Sequence, residues 1–395
     1  MKYVNFQDKK LSRLGFGAMR FPTVASDGPV DFAKTEELIK YAYGKGVNYY
    51  DTAYIYHGGK SEETIGKILS QFPRDSWYLA DKLPGNFINV VDGKFVIEIA
   101  FAGIKEVFGS LNEIFEKQLA RCGVDYFDFY LLHNVTEDTF DLYTDEKLGF
   151  VDFVLEQKRN GRIKHVGFSA HARYDTLEKF VEKYDCFEFA QLQINYLDWS
   201  LQDSGKKYEL LTKHGIPVVV MEPVRGGKLA NPGTKPIEIL KAARAGDSPA
   251  QWAFRFLQDL PNVSVVLSGM TTMEQVVENI EIFGKDDPMT DSDKAVLNNV
   301  VEAMADFVPC TACRYCCGDC PKALDIPLLI NTYNEAVVEA SWLVNAAIEG
   351  FSEDKKPSSC IACGACNPHC PQGIDIPDVM SKFAGWIAEQ AEKKK

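Results

Sequence analysis

Nine of the 11 cysteines fall between Cys310 and Cys370, and they fall in a pattern. Cys310, Cys313, Cys316 and Cys320, with Pro321 after them, read C-x₂-C-x₂-C-x₃-C-P, and Cys360, Cys363, Cys366 and Cys370, with Pro371, repeat it. Three thiolates at every third residue wrap three corners of an iron–sulfur cubane, whereas a zinc site usually draws its two C-x₂-C knuckles from well-separated segments. Disulfide frameworks belong to small secreted chains. The spacing therefore selects two [4Fe–4S] clusters over zinc and marks a separate metal-bearing segment. Cys317 is an extra thiol beside the first triad, and Cys122 and Cys186 read as small buried apolar residues.

The preceding part alternates short apolar runs with amphipathic helical patterns. Strand candidates are 14–19, 47–52, 77–82, 127–132, 164–169, 189–195, 217–222 and 263–268. Between them, Leu111, Ile114, Phe115 and Leu119, and Leu177, Phe180, Val181 and Tyr184, repeat at helical spacing. Ser248-Pro-Ala-Gln251 and Thr272-Met-Glu-Gln275 read as capping boxes, the second helix ending with Gly284 as its C′ residue. Eight βα units predict a (β/α)₈ TIM barrel, whose site lies at the strand C-terminal ends. The expected organisation is thus an α/β barrel over residues 1–288 and a small α-helical ferredoxin-type domain over 289–395.

The long apolar loop 85–106, with Phe87, Ile88, Phe95 and Phe101, reads as a lid or substrate wall, or else as an oligomer contact or a packed extra hairpin. A net charge of −13 repels nucleic acid and anionic lipid. No apolar stretch approaches the length of a membrane span, and the first residues lack a signal-peptide core. A cytoplasmic protein with neither a nucleic-acid nor a membrane partner is expected.

Four polar residues sit at or just past the ends of the second to fourth strands: Asp51 and Tyr56 in Asp-Thr-Ala-Tyr-Ile-Tyr, Lys82 in Ala-Asp-Lys-Leu, and His133 in Leu-Leu-His. A phenol is a weak acid, with a free pKa of about 10. A neighbouring ammonium favours phenolate and brings the group toward the working range. Asp51 would hold Lys82 charged and in place, and His133 would orient a carbonyl oxygen. Together they protonate an alkoxide as hydride arrives at carbon.

In order and spacing these residues resemble the aldo-keto reductase family over roughly residues 1–285. The resemblance implies carbonyl–alcohol interconversion with NADP(H) or NAD(H), the nicotinamide cofactor lying across the barrel top against Ser169, Gln191, Glu278 and Asn279. Two positions depart from the family. Its ring-stacking Tyr-Ser-Pro-Leu is Met221-Glu-Pro-Val here, and its two cations for the NADP 2′-phosphate align with Gly269 and Gln275. The loop Met221 to Lys228, with Pro223, Arg225, Gly226, Gly227 and Lys228, offers two cations and two glycines instead, and Ser268-Gly269 leads into a capped helix. That is the usual barrel phosphate site, suited to a pyrophosphate or to FMN. Met19, the last residue of the first strand, and Arg20, just past it, reach the same rim, where Arg20 meets substrate or phosphate or forms a rim salt bridge.

The doubled cysteine motif resembles the bacterial two-cluster ferredoxins, in which the fourth cysteine serves the other cluster. By that resemblance Cys310, Cys313, Cys316 and Cys370 hold one cluster, and Cys360, Cys363, Cys366 and Cys320 the other. The whole chain resembles the aldo-keto reductases with a C-terminal ferredoxin-type 4Fe–4S domain. Three functions fit: a nicotinamide-dependent oxidoreductase acting on a small carbonyl or alcohol; a flavin-linked oxidoreductase whose clusters exchange single electrons with ferredoxin or another carrier; and a non-enzymatic redox sensor or electron-transfer subunit. The complete tetrad argues against the last.

Overall fold

The computed structural model describes residues 1–25, 28–99, 103–304, 308, 310, 314, 316–338, 341–370 and 372–393; Phe101, Cys313 and Pro371 lie outside the described residues. The chain divides into two compact units, one of residues 1–231 and 246–294 and the other of 232–245 and 295–395.

The first unit is a closed barrel of eight parallel strands, Leu14–Gly17, Tyr49–Asp51, Tyr78–Leu83, Phe127–Val135, Ile163–Ala170, Phe189–Gln193, Val218–Met221 and Val263–Ser268, in chain order around the ring. It closes where Val266 to Ser268 pair with Leu14 to Phe16. All eight sequence-predicted strands are present. Period-two alternation splits each strand between two cores. Tyr49, Ala80, Phe129, Leu131, Phe189, Val219, Val265 and Leu267 fill the barrel interior, while Tyr50, Leu79, Tyr130, Leu132, Val166 and Val220 face the surrounding helices. Gly15 and Gly167 take inward positions because a Cβ would fall 2.7 Å from Leu267 and 2.5 Å from the Phe189 ring. The same parity carries Asp51, Lys82, His133 and Gln191 into the barrel mouth, two residues beyond Tyr49, Ala80, Leu131 and Phe189.

Thr272 and Gln275 form the reciprocal capping box, and Ser248 accepts from the Gln251 N–H. Gly284 is the last residue of its helix, with Lys285 as the cap, because no left-handed residue is needed where the chain leaves in extended conformation.

Two antiparallel elements stand outside the eight βα units, and the second of them answers to the packed-hairpin reading of the apolar segment. A hairpin, Tyr3–Phe6 and Lys9–Ser12, adds Phe6 and Leu11 to the barrel interior. The segment after the third strand forms a three-stranded sheet, Ile88–Val91, Lys94–Ile99 and Ile104–Phe108. Phe95 packs edge-on against Phe150 at 5.9 Å, and Ile88, Ile97, Ile99 and Phe108 join the outer core. The segment is therefore packed structure.

Glu188 ties the hairpin to the barrel. Its carboxylate accepts from Gln7 (2.8 Å), Lys158 (2.6 Å) and the Val166 N–H (2.9 Å), and lies 3.2 Å from His165 Nδ1. Burial alone would raise its pKa, but these partners outweigh it and hold the group at about 2. A depressed carboxyl stabilises the fold above its unfolded pKa of about 4.3, and the contribution is lost as pH falls toward 2. Glu188→Gln is expected to destabilise the barrel by about 1–3 kcal/mol near neutral pH, because its partners keep only part of their hydrogen bonding. Denaturant unfolding followed by tryptophan fluorescence tests this, and an unshifted midpoint would contradict it.

In the second unit, helices Ile326–Val338, Trp342–Glu349 and Ile376–Lys393 pack through Leu329, Ile330, Val344, Met380 and Phe383 around Cys316 and Cys366.

Candidate active site and cluster ligands

Lys82 is 1% exposed, and its ammonium donates to three acceptors: Asp51 Oδ1 (2.6 Å), the Thr52 carbonyl (2.7 Å) and Tyr56 Oη (3.4 Å). Three donors on three acceptors exhaust the ammonium and fix its direction. Asp51, itself 3% exposed, has its other oxygen held by Gln191 Nε2 at 3.1 Å. Tyr56 stands on a turn in which His57 and Gly58 adopt left-handed φ of 53° and 63°. His57 secures that turn by accepting the Phe21 N–H (3.0 Å) and stacking on the Phe21 ring. The His133 ring lies edge-on to Tyr56, centroids 6.3 Å apart, and Tyr143 donates to the His133 carbonyl at 2.5 Å. Nδ1 of His133 is buried without a hydrogen-bond partner.

Burial dominates the electrostatics. It raises the Asp51 carboxyl, against the pull of Lys82 and Gln191. It opposes charge on Lys82, yet Asp51 and Tyr56 outweigh it and the ammonium is held above its ordinary pKa. The expected lowering of Tyr56 is corrected: burial raises the phenol more than Lys82 lowers it, so it lies above the ordinary phenol range. Burial and then Lys82 push His133 well below the usual imidazole range, which leaves it neutral.

Asp51 and Tyr56 open on a cavity of about 410 Å³, whereas Lys82 and His133 are not among its lining residues. Of the residues expected to contact a nucleotide, Met19, Arg20, Gln191, Met221, Pro223, Gly226, Gly227, Ser268, Gly269, Gln275, Glu278 and Asn279 line it, together with Asp51 and Tyr56. Ser169, Arg225 and Lys228 are not among its lining residues. Ser169 Oγ instead accepts the Asn134 N–H at 2.8 Å. Arg225 is 4% exposed and paired with the buried Asp198 at 3.1 Å. Its neighbours Gly226 and Gly227, at φ of 63° and 103°, supply the sharp turn that brings backbone to the cavity wall. Among the described residues Arg20 is the one cationic side chain lining the cavity, and it faces Glu222 at 4.0 Å. Gln275 Oε1 is committed to the Thr271 and Thr272 N–H groups, and Asn279 donates to Ser268 Oγ. No described residue of the inserted sheet lines the cavity, so it forms no substrate wall there.

Glu222, Val224, Thr271 and Phe254 line the cavity without having been singled out. Glu222 carried a signal, since it occupies the family's serine position in the altered motif. The Thr52 carbonyl carried none, because a main-chain acceptor has no sequence signature. A cavity lined by Asp51 and Tyr56, by a glycine turn and by a capped helix fits a dinucleotide, and Arg20, which faces Glu222, is the one cation among the described residues of its wall.

In the second unit Cys320 lines the same void as Cys360, Cys363 and Cys366, with Ile326 and Met380. A second void is lined by Cys310, Cys316 and Cys370, with Arg314, Ile330 and Ile376. Cys317 lines neither. All-thiol donors in largely apolar surroundings fit iron–sulfur clusters. Cys363 is exposed and Cys366 buried.

Fold and site define an oxidoreductase on a (β/α)₈ barrel. The Aldo/keto reductase family model matches residues 13–302, and a 4Fe-4S dicluster domain model matches residues 309–375. The chain belongs to the aldo/keto reductase family and carries a 4Fe–4S domain C-terminal to the barrel in sequence. It is 25% identical over 335 residues to the NADH-specific methylglyoxal reductase of Escherichia coli, covering 75% of this chain and 97% of that one. It is 28% identical over 227 residues to probable aldo-keto reductase 1 of Glycine max, a match spanning 60% of that relative's length and 58% of this chain. Among solved structures, aldo-keto reductase AKR11C1 of Bacillus halodurans in its holo form superposes with a TM-score of 0.59 at 24% identity, over 76% of this chain and 96% of that one. No described helix is long and apolar enough to cross a membrane.

Proposed function

We propose that the barrel interconverts a small carbonyl and its alcohol with a nicotinamide cofactor, using NADH at least as readily as NADPH. We propose further that the C-terminal unit holds two [4Fe–4S] clusters with crossed fourth ligands. The observation that carries the first reading is the buried Lys82, which donates at once to Asp51 and to the Tyr56 hydroxyl oxygen at the cavity floor. With its oxygen occupied by that donor, Tyr56 is left to give its own proton to an acceptor in the cavity. A phenol held above its ordinary pKa stays protonated at neutral pH, and Lys82 stabilises the phenolate left after the proton has gone. Neutral His133 keeps one N–H for a substrate carbonyl oxygen and adds no charge beside Lys82. When bound, the nicotinamide supplies the hydride; Gly226, Gly227, Gln191 and Asn279 would hold the cofactor. Incubating reduced cofactor with a panel of aldehydes and ketones tests the reading: alcohol formation supports it, and no turnover with any carbonyl contradicts it.

The coenzyme preference follows from the cavity lining. Arg225 is committed to Asp198, Lys228 is not at the wall, and Arg20, the one cation there, faces the Glu222 carboxylate, while Glu278 is also at the wall. A 2′-phosphate gains most from charge-assisted partners, whereas a ribose hydroxyl can donate to a carboxylate. NADH is therefore expected to bind at least as tightly as NADPH. Dissociation constants for both settle it, and a preference for NADPH on the order of a thousandfold, about 4 kcal/mol, would contradict it.

A second reading, in which the clusters exchange single electrons with ferredoxin or another carrier, is favoured by the exposure of Cys363. An exposed ligand places one edge of its cluster within reach of a partner.

A further inference from the structure

Behind the third barrel strand lies a buried polar cluster that the chemistry above does not use. Alternation turns Lys82 into the barrel and Asp81 outward. Asp81 Oδ1 accepts the Lys82 main-chain N–H at 2.8 Å, and Gln118 Nε2 donates to the Lys82 carbonyl at 3.0 Å. The same Gln118 amide donates to Glu62 Oε1 at 3.0 Å, while its oxygen accepts from Tyr130 at 2.5 Å. Asp81, Glu62 and Gln118 are all 0% exposed, and the two carboxyls are hydrogen-bonded to each other. Arg121 donates to Glu62 Oε2 at 3.0 Å and reaches Glu106 of the inserted sheet at 3.8 Å. Glu106 also accepts from Lys117 (2.6 Å) and from Tyr54, two residues before Tyr56. Cys122 lies 3.8 Å from Asp81 Oδ2 and so is more than an apolar filler.

We propose that Asp81, Glu62 and Gln118 are positioning residues that clamp both main-chain groups of Lys82, and that Arg121 and Glu106 extend this clamp to the inserted sheet. The proposal rests on the reading of Lys82 as the partner of Tyr56. Two carboxyls touching in a dry site beside one guanidinium cannot both ionise, so one proton stays between them. Burial, then Glu62, raises Asp81 well above the carboxylate range, and this makes Asp81 the acid of the pair. A neutral side chain that accepts from the Lys82 N–H and donates to Glu62 describes asparagine equally well. A clamp on the main chain matters because the ammonium is aimed from it at Asp51, Thr52 and Tyr56 at once. A shift on the order of 1 Å in such a constellation costs about 100-fold in rate.

Asp81→Leu and Gln118→Met are each expected to lower kcat by about 10- to 100-fold with nucleotide affinity unchanged. Both should move the alkaline limb of the pH profile upward, since a displaced Lys82 lowers Tyr56 less. Asp81→Asn is expected to restore the wild-type rate and limb. If Asp81→Leu does not fold, Gln118→Met, close in volume to the native side chain, carries the same expectation. The clamp is overturned if Asp81→Asn loses as much as Asp81→Leu. It is also overturned if Asp81→Leu and Gln118→Met lower only the melting temperature and leave kcat and the pH limb unmoved. Tyr56→Phe in the same assay separates the two levels: a wild-type rate there removes the active-site reading, whereas an inactive Tyr56→Phe beside unaffected clamp variants removes the clamp alone.

Discussion

Replacing Tyr56 by phenylalanine is expected to lower kcat for carbonyl reduction by about 10²–10⁴-fold, the usual contribution of a general acid. The substitution removes one oxygen and keeps the ring beside Lys82 and His133. The packing and the 6.3 Å ring contact should therefore survive, and nucleotide affinity should remain near wild type. Lys82 cannot substitute as the acid, because its three donors are spent on Asp51, Thr52 and Tyr56 and its pKa is held up by Asp51. His133 cannot either, since burial keeps it neutral and leaves it no labile second proton. The raised Tyr56 pKa also sets the pH dependence. Reduction should be level across neutral pH and fall only as the phenol ionises at alkaline pH, while alcohol oxidation, which needs phenolate, should rise over the same range. Steady-state rates in both directions, with nucleotide titrations on the variant, provide the check. A variant that keeps the wild-type rate would remove Tyr56 from the role.

The second large effect is expected in the C-terminal unit. Cys370 lines the void of Cys310 and Cys316, not that of its own motif, and Cys320 lines the void of Cys360, Cys363 and Cys366. Cys370→Ala should therefore damage the cluster held by the first motif, and Cys320→Ala the one held by the second. Each should lose about half the iron and one of two EPR signals. Thiolate coordination supplies folding energy to a segment with a small core. The apolar packing of Leu329, Ile330 and Phe383 surrounds Cys316 and Cys366, the proposed ligands, so losing a cluster should also loosen this unit while the barrel stays folded. Limited proteolysis of each variant, beside iron analysis and EPR, measures both effects. Full iron content in Cys370→Ala when Cys317→Ala is made as well, so that no neighbouring thiol can replace the lost ligand, would contradict the crossed assignment.

Much of this was legible in the residues themselves, for reasons that also explain what was not. Asp51, Lys82 and His133 could be aligned because strand ends and period-two alternation are local, and the cysteine motifs because a cluster imposes its spacing on the chain. Arg225 looked like a phosphate ligand from its glycine neighbours. Its actual partner, Asp198, belongs to a separate helix and only the closed barrel brings the two together. Tyr56 was expected to acidify beside a lysine, since the sign of a neighbouring charge is visible in sequence and the depth of burial is not. The inserted sheet read as an ambiguous apolar loop because what its Phe95 packs against, Phe150, lies far along the chain. The clamp on Lys82 was invisible, for it works through main-chain groups and through Gln118, whose polarity gives no hint that it is fully buried.

The central claim is that Tyr56, positioned by the Lys82–Asp51 pair, passes its proton to a carbonyl oxygen as reduced nicotinamide is consumed. Single-turnover oxidation of NADH by the anaerobic, cluster-loaded protein, mixed with a reducible aldehyde and followed by nicotinamide and cluster absorbance together, tests it most directly. The account predicts one alcohol formed per NADH oxidised in the wild type, cluster absorbance unchanged throughout, and near-complete loss of the step in Tyr56→Phe. NADH oxidation accompanied by cluster bleaching, without alcohol and at the same rate in Tyr56→Phe, would contradict it.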